Sequence, residues 1–245
     1  TSHGVVPMYQ ALVKSYNQAN VRLGIDVGVK RVVAQLQRLG AEGNIPAYPS
    51  VLLGAVEMSP LNVNQVYQTI AGNGFYSPLT LVRQVTEANG VLLSHFPYAV
   101  RQAASNESVY LLQQEMRKVA TAGTARGVYR YLPKQQQVAA KTGTTNDQRD
   151  SWFSGFSGQY VATTWLGRED AKPTPLTGAS GALKVWGELM KNLAYTPYQD
   201  IKPQSVDYYY LNPKTGKAMP SRCADGVWLP IQKQLAPVTT KQCGY

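Results

Sequence analysis

Between Gln137 and Leu166 the chain carries three short runs of strand-forming residues, and their spacing limits how everything else can be arranged. The runs are Gln137 to Lys141, Ser151 to Phe156 and Tyr160 to Leu166. Only the tight turn Ser157-Gly158 separates the last two, so they pair antiparallel; a parallel pairing needs a crossover of a dozen residues or more. Ala182, Val185, Trp186, Leu189, Met190 and Leu193 follow at the spacing of one apolar helix stripe, long enough to cover such a sheet.

The residues upstream read as helices. Pro7 to Lys14 has proline in its first turn and Met8, Tyr9, Leu12 and Val13 as an apolar stripe, and it stops at Ser15-Tyr16-Asn17. Val29, Val32, Val33 and Leu36 repeat at i, i+3, i+4 and i+7, with Gly40 as the left-handed cap. Ser59 is placed to cap a helix that has Pro60 at its first position, buries Val63, Val66, Tyr67 and Ile70, and ends at Gly72. Leu79 to Thr86 and Val91 to Leu93 flank Asn89-Gly90, the signature of a two-residue hairpin turn. Val109, Leu112, Met116 and Val119 mark a further helix that ends near Gly123. Helices, then antiparallel strands, then a covering helix make an α+β protein: an antiparallel sheet covered by helices with an all-helical subdomain. After about Pro197 the composition shifts to Tyr, Pro and Lys. Residues 1–197 therefore read as one domain and 198–245 as a small hairpin-rich appendage.

Of 245 residues, 44% are hydrophobic, enough for a sizeable core. The net charge of +10 favours anionic surfaces, but the Lys and Arg residues are scattered. The densest group, Arg31 to Arg38, lies on a solvated helix side, and no nucleic-acid motif appears. The longest apolar stretch, Val51 to Val56, falls far short of the roughly 20 residues that span a bilayer. Thr1-Ser2-His3-Gly4 shows neither an initiator Met nor a secretory signal and reads as an internal start. The two cysteines, Cys223 and Cys243, sit in the loop-rich tail. A bridge between them would contribute on the order of 3 kcal/mol and points to an oxidising compartment; two free thiols are the alternative.

Lys141-Thr142-Gly143-Thr144-Thr145 closes the small-residue strand Val138-Ala139-Ala140. A lysine, hydroxyls and a glycine on a strand edge form an anion-binding ledge: charge from Lys141, hydrogen bonds from Thr142 and Thr144, and close backbone approach at Gly143. The tripeptide alone carries little weight, because Lys214-Thr215-Gly216 repeats it after Asn212-Pro213, where it reads as an ordinary turn. Ser15-Tyr16-Asn17 places a hydroxyl and an amide two residues apart at a helix end, about 125 residues before Lys141. Neither His3 nor His95 has a serine, cysteine or carboxylate partner at a recognisable spacing, which disfavours a His-based triad or a metal site. Asp150 and Trp152 read as residues that set the strand and cover the cleft, and Tyr16 as either cleft wall or packing.

A helix-end Ser-x-Asn followed by a strand-borne Lys-Thr-Gly-Thr matches the order found in penicillin-recognising serine acyltransferases. The segment KTGTTNDQRDSWF, Lys141 to Phe153, resembles class A penicillin-binding proteins. So do Gly155, Trp165 to Asp170 (WLGRED), Gly178 to Ala182 (GASGA), Leu53 to Gly74 (LGAVEMSPLNVNQVYQTIAGNG) and Gly123 to Gly127 (GTARG). The cysteine-containing tail resembles the end of the 1b type of that family. The resemblance implies the serine transpeptidase fold, with residues 1–197 as the C-terminal portion of the transpeptidase domain. It also implies D,D-transpeptidase activity on peptidoglycan stem peptides, acylation by β-lactams and no cofactor or metal. It further implies a parent protein with a lipid II glycosyltransferase domain, anchored by an N-terminal helix at the periplasmic face of the inner membrane among other wall-synthesis proteins. A D,D-carboxypeptidase or β-lactamase-like hydrolase, and a non-catalytic β-lactam sensor or scaffold, are the alternatives.

The family's acylated residue is the serine of Ser-x-x-Lys, yet no serine here is followed three residues later by lysine, so the chain is expected to start downstream of it. By resemblance, Lys141 helps keep the lysine of that motif neutral and Ser15 relays a proton. Asn17 orients that lysine and the substrate amide, Thr142 and Thr144 bind the terminal carboxylate, and the Thr144 N–H forms half of an oxyanion hole.

Overall fold

The computed structural model describes residues 3–194, 196, 198–241 and 243. Thr1 and Ser2, at the start of the segment read as an internal start, and the boundary residue Pro197 lie outside the described residues. In chain order, α1 (Met8–Lys14), α2 (Asn17–Val27) and α3 (Val29–Arg38) precede α4 (Pro60–Ala71). A two-residue strand β1 (Phe75–Tyr76) leads into a hairpin of β2 (Gln84–Thr86) and β3 (Leu92–His95), and β4 (Arg101–Gln102) returns to pair with β1. Then come α5 (Asn106–Ala122), the strands β5 (Ala139–Thr144), β6 (Ser151–Ser157) and β7 (Tyr160–Leu166), α6 (Ala182–Lys191), and a final pair β8 (Val206–Leu211) and β9 (Val227–Gln232).

The central sheet is antiparallel, as expected, and runs in the order β5-β6-β7. Alternate residues of a strand face opposite sides, so Phe153 and Phe156, three apart on β6, serve two different cores. Phe153 packs with Trp186, Met190 and Leu183 of α6 and with Val13 of α1. Phe156 and Ala139 pack with Val33 of α3, Val66 and Ile70 of α4 and Met116 of α5. Helices therefore cover both faces. Ala140 of β5 lies against Gly155 of β6, where an added Cβ would come within 2.7 Å of the alanine methyl.

The cap read at Ser59 is present: its hydroxyl accepts from the Asn62 N–H at 3.1 Å, with Pro60 opening α4. Several local expectations are corrected. The first strand does not include Gln137, which is left-handed (φ 51°), or Val138; it starts at Ala139 and runs through Thr144, so Lys-Thr-Gly-Thr forms the last four residues of the strand. Asn17 does not close a helix; it opens α2, a helix whose one buried residue is Gly24 and which therefore lacks an apolar stripe. Strand structure within Leu79 to Thr86 begins only at Gln84, and that within Val91 to Leu93 begins at Leu92 and continues to His95. The turn between them holds three residues, 88–90, because the Glu87 N–H bonds to the Val91 carbonyl. The later tight turn is Gly158-Gln159, with Ser157 opposite Tyr160. On α6 the buried face is Ala182, Leu183, Trp186, Gly187 and Met190; Val185 and Leu189 point to solvent.

Beyond residue 198, β8 and β9 form an antiparallel ribbon, and a disulfide joins Cys223 to Cys243 with a Cα–Cα distance of 5.3 Å. Arg117 of α5 pairs with Asp200 at 2.8 Å, and the Tyr110 and Tyr208 hydroxyls meet at 3.1 Å. Among the described residues no helix is long and apolar enough to cross a membrane.

Candidate active site at the junction of two helices and a strand

Ser15 stands where α1 stops and α2 has not begun. Its backbone is left-handed (φ 55°, ψ 49°), which closes α1 through bonds from its N–H to the Ala11 and Leu12 carbonyls; Tyr16 then serves as the extended residue ahead of α2. This bend presents the Ser15 hydroxyl to β5. There the Lys141 Nζ donates to Ser15 Oγ at 2.5 Å and to the Thr142 carbonyl at 2.9 Å. Burial holds the Lys141 ammonium down at about 8, well below the ordinary lysine range, because a charge loses more than a neutral amine when water is removed. Lys141 and Ser15 thus form a donor–acceptor pair whose lysine gives up its proton more readily than an exposed one.

A cavity of about 310 Å³ opens beside the junction, lined by His3, Lys14, Ser15, Tyr16, Asn17 and Gln18. Asn17 is exposed on its rim. Tyr16 forms part of the wall, with its ring stacked on His3 at 3.9 Å. Sequence reasoning denied His3 only a serine, cysteine or carboxylate partner; this ring contact was not foreseen, because aromatic stacking leaves no trace in residue spacing.

The other predicted residues are placed along β5. The Thr142 hydroxyl meets that of Thr124 at 2.6 Å. Gly143 lies opposite Trp152, where a Cβ would approach the tryptophan Cβ to 3.0 Å. The Thr144 hydroxyl accepts from the Gly178 N–H at 2.9 Å. The loop carrying Gly178 is fixed a second time by Ser151, whose hydroxyl donates to the Thr177 carbonyl at 2.7 Å and accepts from the Ala182 N–H at 2.9 Å. Asp150 accepts from Thr145 Oγ1 at 2.9 Å and from the Trp165 indole at 3.0 Å, tying down the connection that follows the motif. The structure thus brings Ser15 and Lys141 into direct contact, and the Thr142 and Thr144 hydroxyls are each held by a residue from another element. Thr124 and Gly178 were not singled out as site residues, although both lie in segments, GTARG and GASGA, that carried the resemblance.

Among the described residues, no group of three or more His, Cys, Asp or Glu side chains could hold a metal ion. The site thus combines a buried lysine bonded to a serine hydroxyl with two threonine hydroxyls along the same strand.

Residues 1–166 match the family profile described as the penicillin-binding protein transpeptidase domain. The chain is 38% identical over 239 residues to penicillin-binding protein 1B of Vibrio cholerae, covering 95% of this chain and 30% of that protein. It is 37% identical over 212 residues to penicillin-binding protein 1B of Escherichia coli, covering 84% and 25%. The chain therefore spans about a third or less of the length of these relatives. Among solved structures, penicillin-binding protein 1A from Haemophilus influenzae superposes with a TM-score of 0.86 at 20% identity, over 97% of this chain and 41% of that one. Penicillin-binding protein A from Mycobacterium tuberculosis, solved as an imipenem acyl-enzyme complex, superposes with a TM-score of 0.60 at 22% identity, over 77% and 49%.

Proposed function

The chain belongs to the penicillin-binding protein transpeptidase family, and on that footing we propose that it carries part of the active site of a peptidoglycan D,D-transpeptidase. The observation that supports this most strongly is the 2.5 Å contact between Lys141 and Ser15, residues 126 apart in sequence whose side chains meet where α1 ends in a left-handed turn.

In the proposed reaction a serine attacks the carbonyl between the two terminal D-alanines of a stem peptide. The bond to the last D-alanine breaks, and that residue leaves carrying the proton. The amine of a neighbouring stem then takes the acyl group and releases the serine. A serine hydroxyl needs a base, and the Lys141–Ser15 pair is suited to moving that proton, with Lys141 close enough to neutrality to lose and regain one. Asn17 orients the acyl-donor amide. Thr142 and Thr144 bind the terminal carboxylate, Gly143 admits the substrate to the strand edge, and the Thr144 N–H stabilises the developing oxyanion, a contribution of about 10²- to 10³-fold per donor. None of the serines in the sequence is followed three residues later by lysine, so we assign the acylated serine to a segment outside residues 1–245. β-Lactams would acylate that serine and stop there.

The match to penicillin-binding proteins 1B supports a wider proposal: a bifunctional protein that also polymerises lipid II, anchored at the periplasmic face of the inner membrane and working with other wall-synthesis proteins. Residues 1–197 would be the C-terminal part of its transpeptidase domain and 198–245 a disulfide-stapled appendage.

The test is intact mass of the protein, expressed at the length its gene encodes, before and after incubation with benzylpenicillin. One covalent adduct per polypeptide, mapped to a serine and formed competitively with a D-alanyl-D-alanine peptide, is the expected result. A protein that gains no adduct overturns the acyl-transfer proposal.

A further inference from the structure

Thr124 lies in the turn after α5, and both of its neighbours there are fully buried or sterically confined. A Cβ on Gly123 would come within 2.3 Å of the Val13 carbonyl oxygen, and Ala125 has no exposed surface. The turn is held to α1 as well, since the Thr124 N–H points at the Val13 carbonyl at 3.4 Å, two residues before Ser15. From this fixed position the Thr124 hydroxyl meets the Thr142 hydroxyl at 2.6 Å. Thr124 thus touches both halves of the site: α1 through its backbone and β5 through its side chain.

A threonine hydroxyl has one proton to give and two lone pairs to receive with. In a close pair of hydroxyls, only one can donate to the other. If Thr142 donates to Thr124, its proton is spent within the protein and an anion reaching β5 finds an oxygen lone pair. If Thr124 donates to Thr142, the Thr142 proton is free for the anion, and each donor in the chain strengthens the next. We infer that Thr124 is a positioning residue that sets the Thr142 hydroxyl as a donor toward the carboxylate of the bound peptide or β-lactam. This rests on the acyl-transfer reading above. Thr124 itself touches no reacting atom; it acts through Thr142.

The experiment compares acylation of the gene-length protein by benzylpenicillin and by its methyl ester, in which the carboxylate charge is gone. Thr124→Val is expected to slow acylation by benzylpenicillin about 10-fold, the loss of one hydrogen bond to a charged group. The effect should fall on the saturation constant, leaving the limiting acylation rate unchanged, and the slower reaction with the methyl ester should not change. Thr124→Ser should restore the wild-type rate, and in a Thr142→Val background the Thr124→Val change should add nothing. Equal slowing with both ligands would mean that Thr124 only supports the fold, and unaltered kinetics would mean that it does nothing; either result overturns the inference while the acyl-transfer reading stands. Should Thr124→Val not fold, Thr124→Ala is compared with Thr124→Ser in the same way. A wild-type protein that forms no adduct with benzylpenicillin overturns the acyl-transfer reading and, with it, this one.

Discussion

The same three residues, Lys-Thr-Gly, occur at 141–143 and at 214–216, and the structure treats them differently. At the first copy the lysine is largely withdrawn from water, pushed down to about 8 and bonded to Ser15. Its threonine faces another hydroxyl, and its glycine lies within a strand opposite Trp152. At the second copy the residues are exposed in the turn between Leu211 and Ala218. There the Asn212 carboxamide accepts from the Lys214 and Thr215 N–H groups, and Gly216 takes a positive φ of 70° with open space where a side chain would go. One copy is read by its side chains and the other by its backbone. The tripeptide therefore carries no chemistry of its own; a lysine becomes a proton-handling group only where burial shifts its equilibrium and a partner waits at hydrogen-bond distance.

Substitutions at or against the two copies would break or sharpen this contrast. The largest effect is expected in acylation: Lys141→Ala should slow covalent labelling by a fluorescent penicillin about 100-fold or more, while Lys214→Ala leaves it unchanged. Equal rates for the two variants would erase the distinction. Next comes stability. A Cβ at Gly178 would sit 2.6 Å from the Gly143 and Trp152 carbonyl oxygens, backbone atoms that cannot step aside, so Gly178→Ala should cost about 1–3 kcal/mol in denaturant unfolding. Gly216→Ala, strained only by its φ, should cost about 1 kcal/mol.

The smallest effect is in the pH dependence of stability. Below about pH 8, Lys141 is protonated in both the folded and unfolded states, and the folded state bears the cost of the buried ammonium. Between about 8 and the ordinary 10.5, the folded protein releases this proton while the unfolded chain keeps it, so stability rises across that window. The rise should amount to about 1 kcal/mol, discounted for partial exposure. It should vanish in Lys141→Met and persist in Lys214→Met, as read from unfolding midpoints at a series of pH values.

What could be read from the sequence follows from which signals are periodic. The helix capped at Ser59 and the stripe of Val109, Leu112, Met116 and Val119 were legible because burial repeats at about 3.6 residues there, and the β6-β7 pairing because only a tight turn separates the two runs. Helix α2 was not, because it buries only Gly24, whose added Cβ would meet the Leu52 side chain at 2.4 Å: it packs by smallness, and a glycine contributes nothing to an apolar stripe. Val185 and Leu189 misled in the opposite way, as apolar residues on the outward side of α6. Within the site, the distant pair Ser15 and Lys141 was legible because the order of two motifs matched a family. Thr124 and Gly178 reach β5 from turns 18 and 34 residues away in sequence, through single bonds that no spacing rule encodes.

The left-handed backbone of Ser15 has an evolutionary consequence. A residue with a Cβ is held there at a cost of about 1–2 kcal/mol, which glycine would avoid and asparagine would lessen. The backbone alone therefore favours glycine or asparagine at this position, while the bond that the hydroxyl accepts from Lys141 favours serine. On the proton-relay role proposed above, a descendant released from that role should admit glycine or asparagine here, relieving the backbone at the cost of the Lys141 contact.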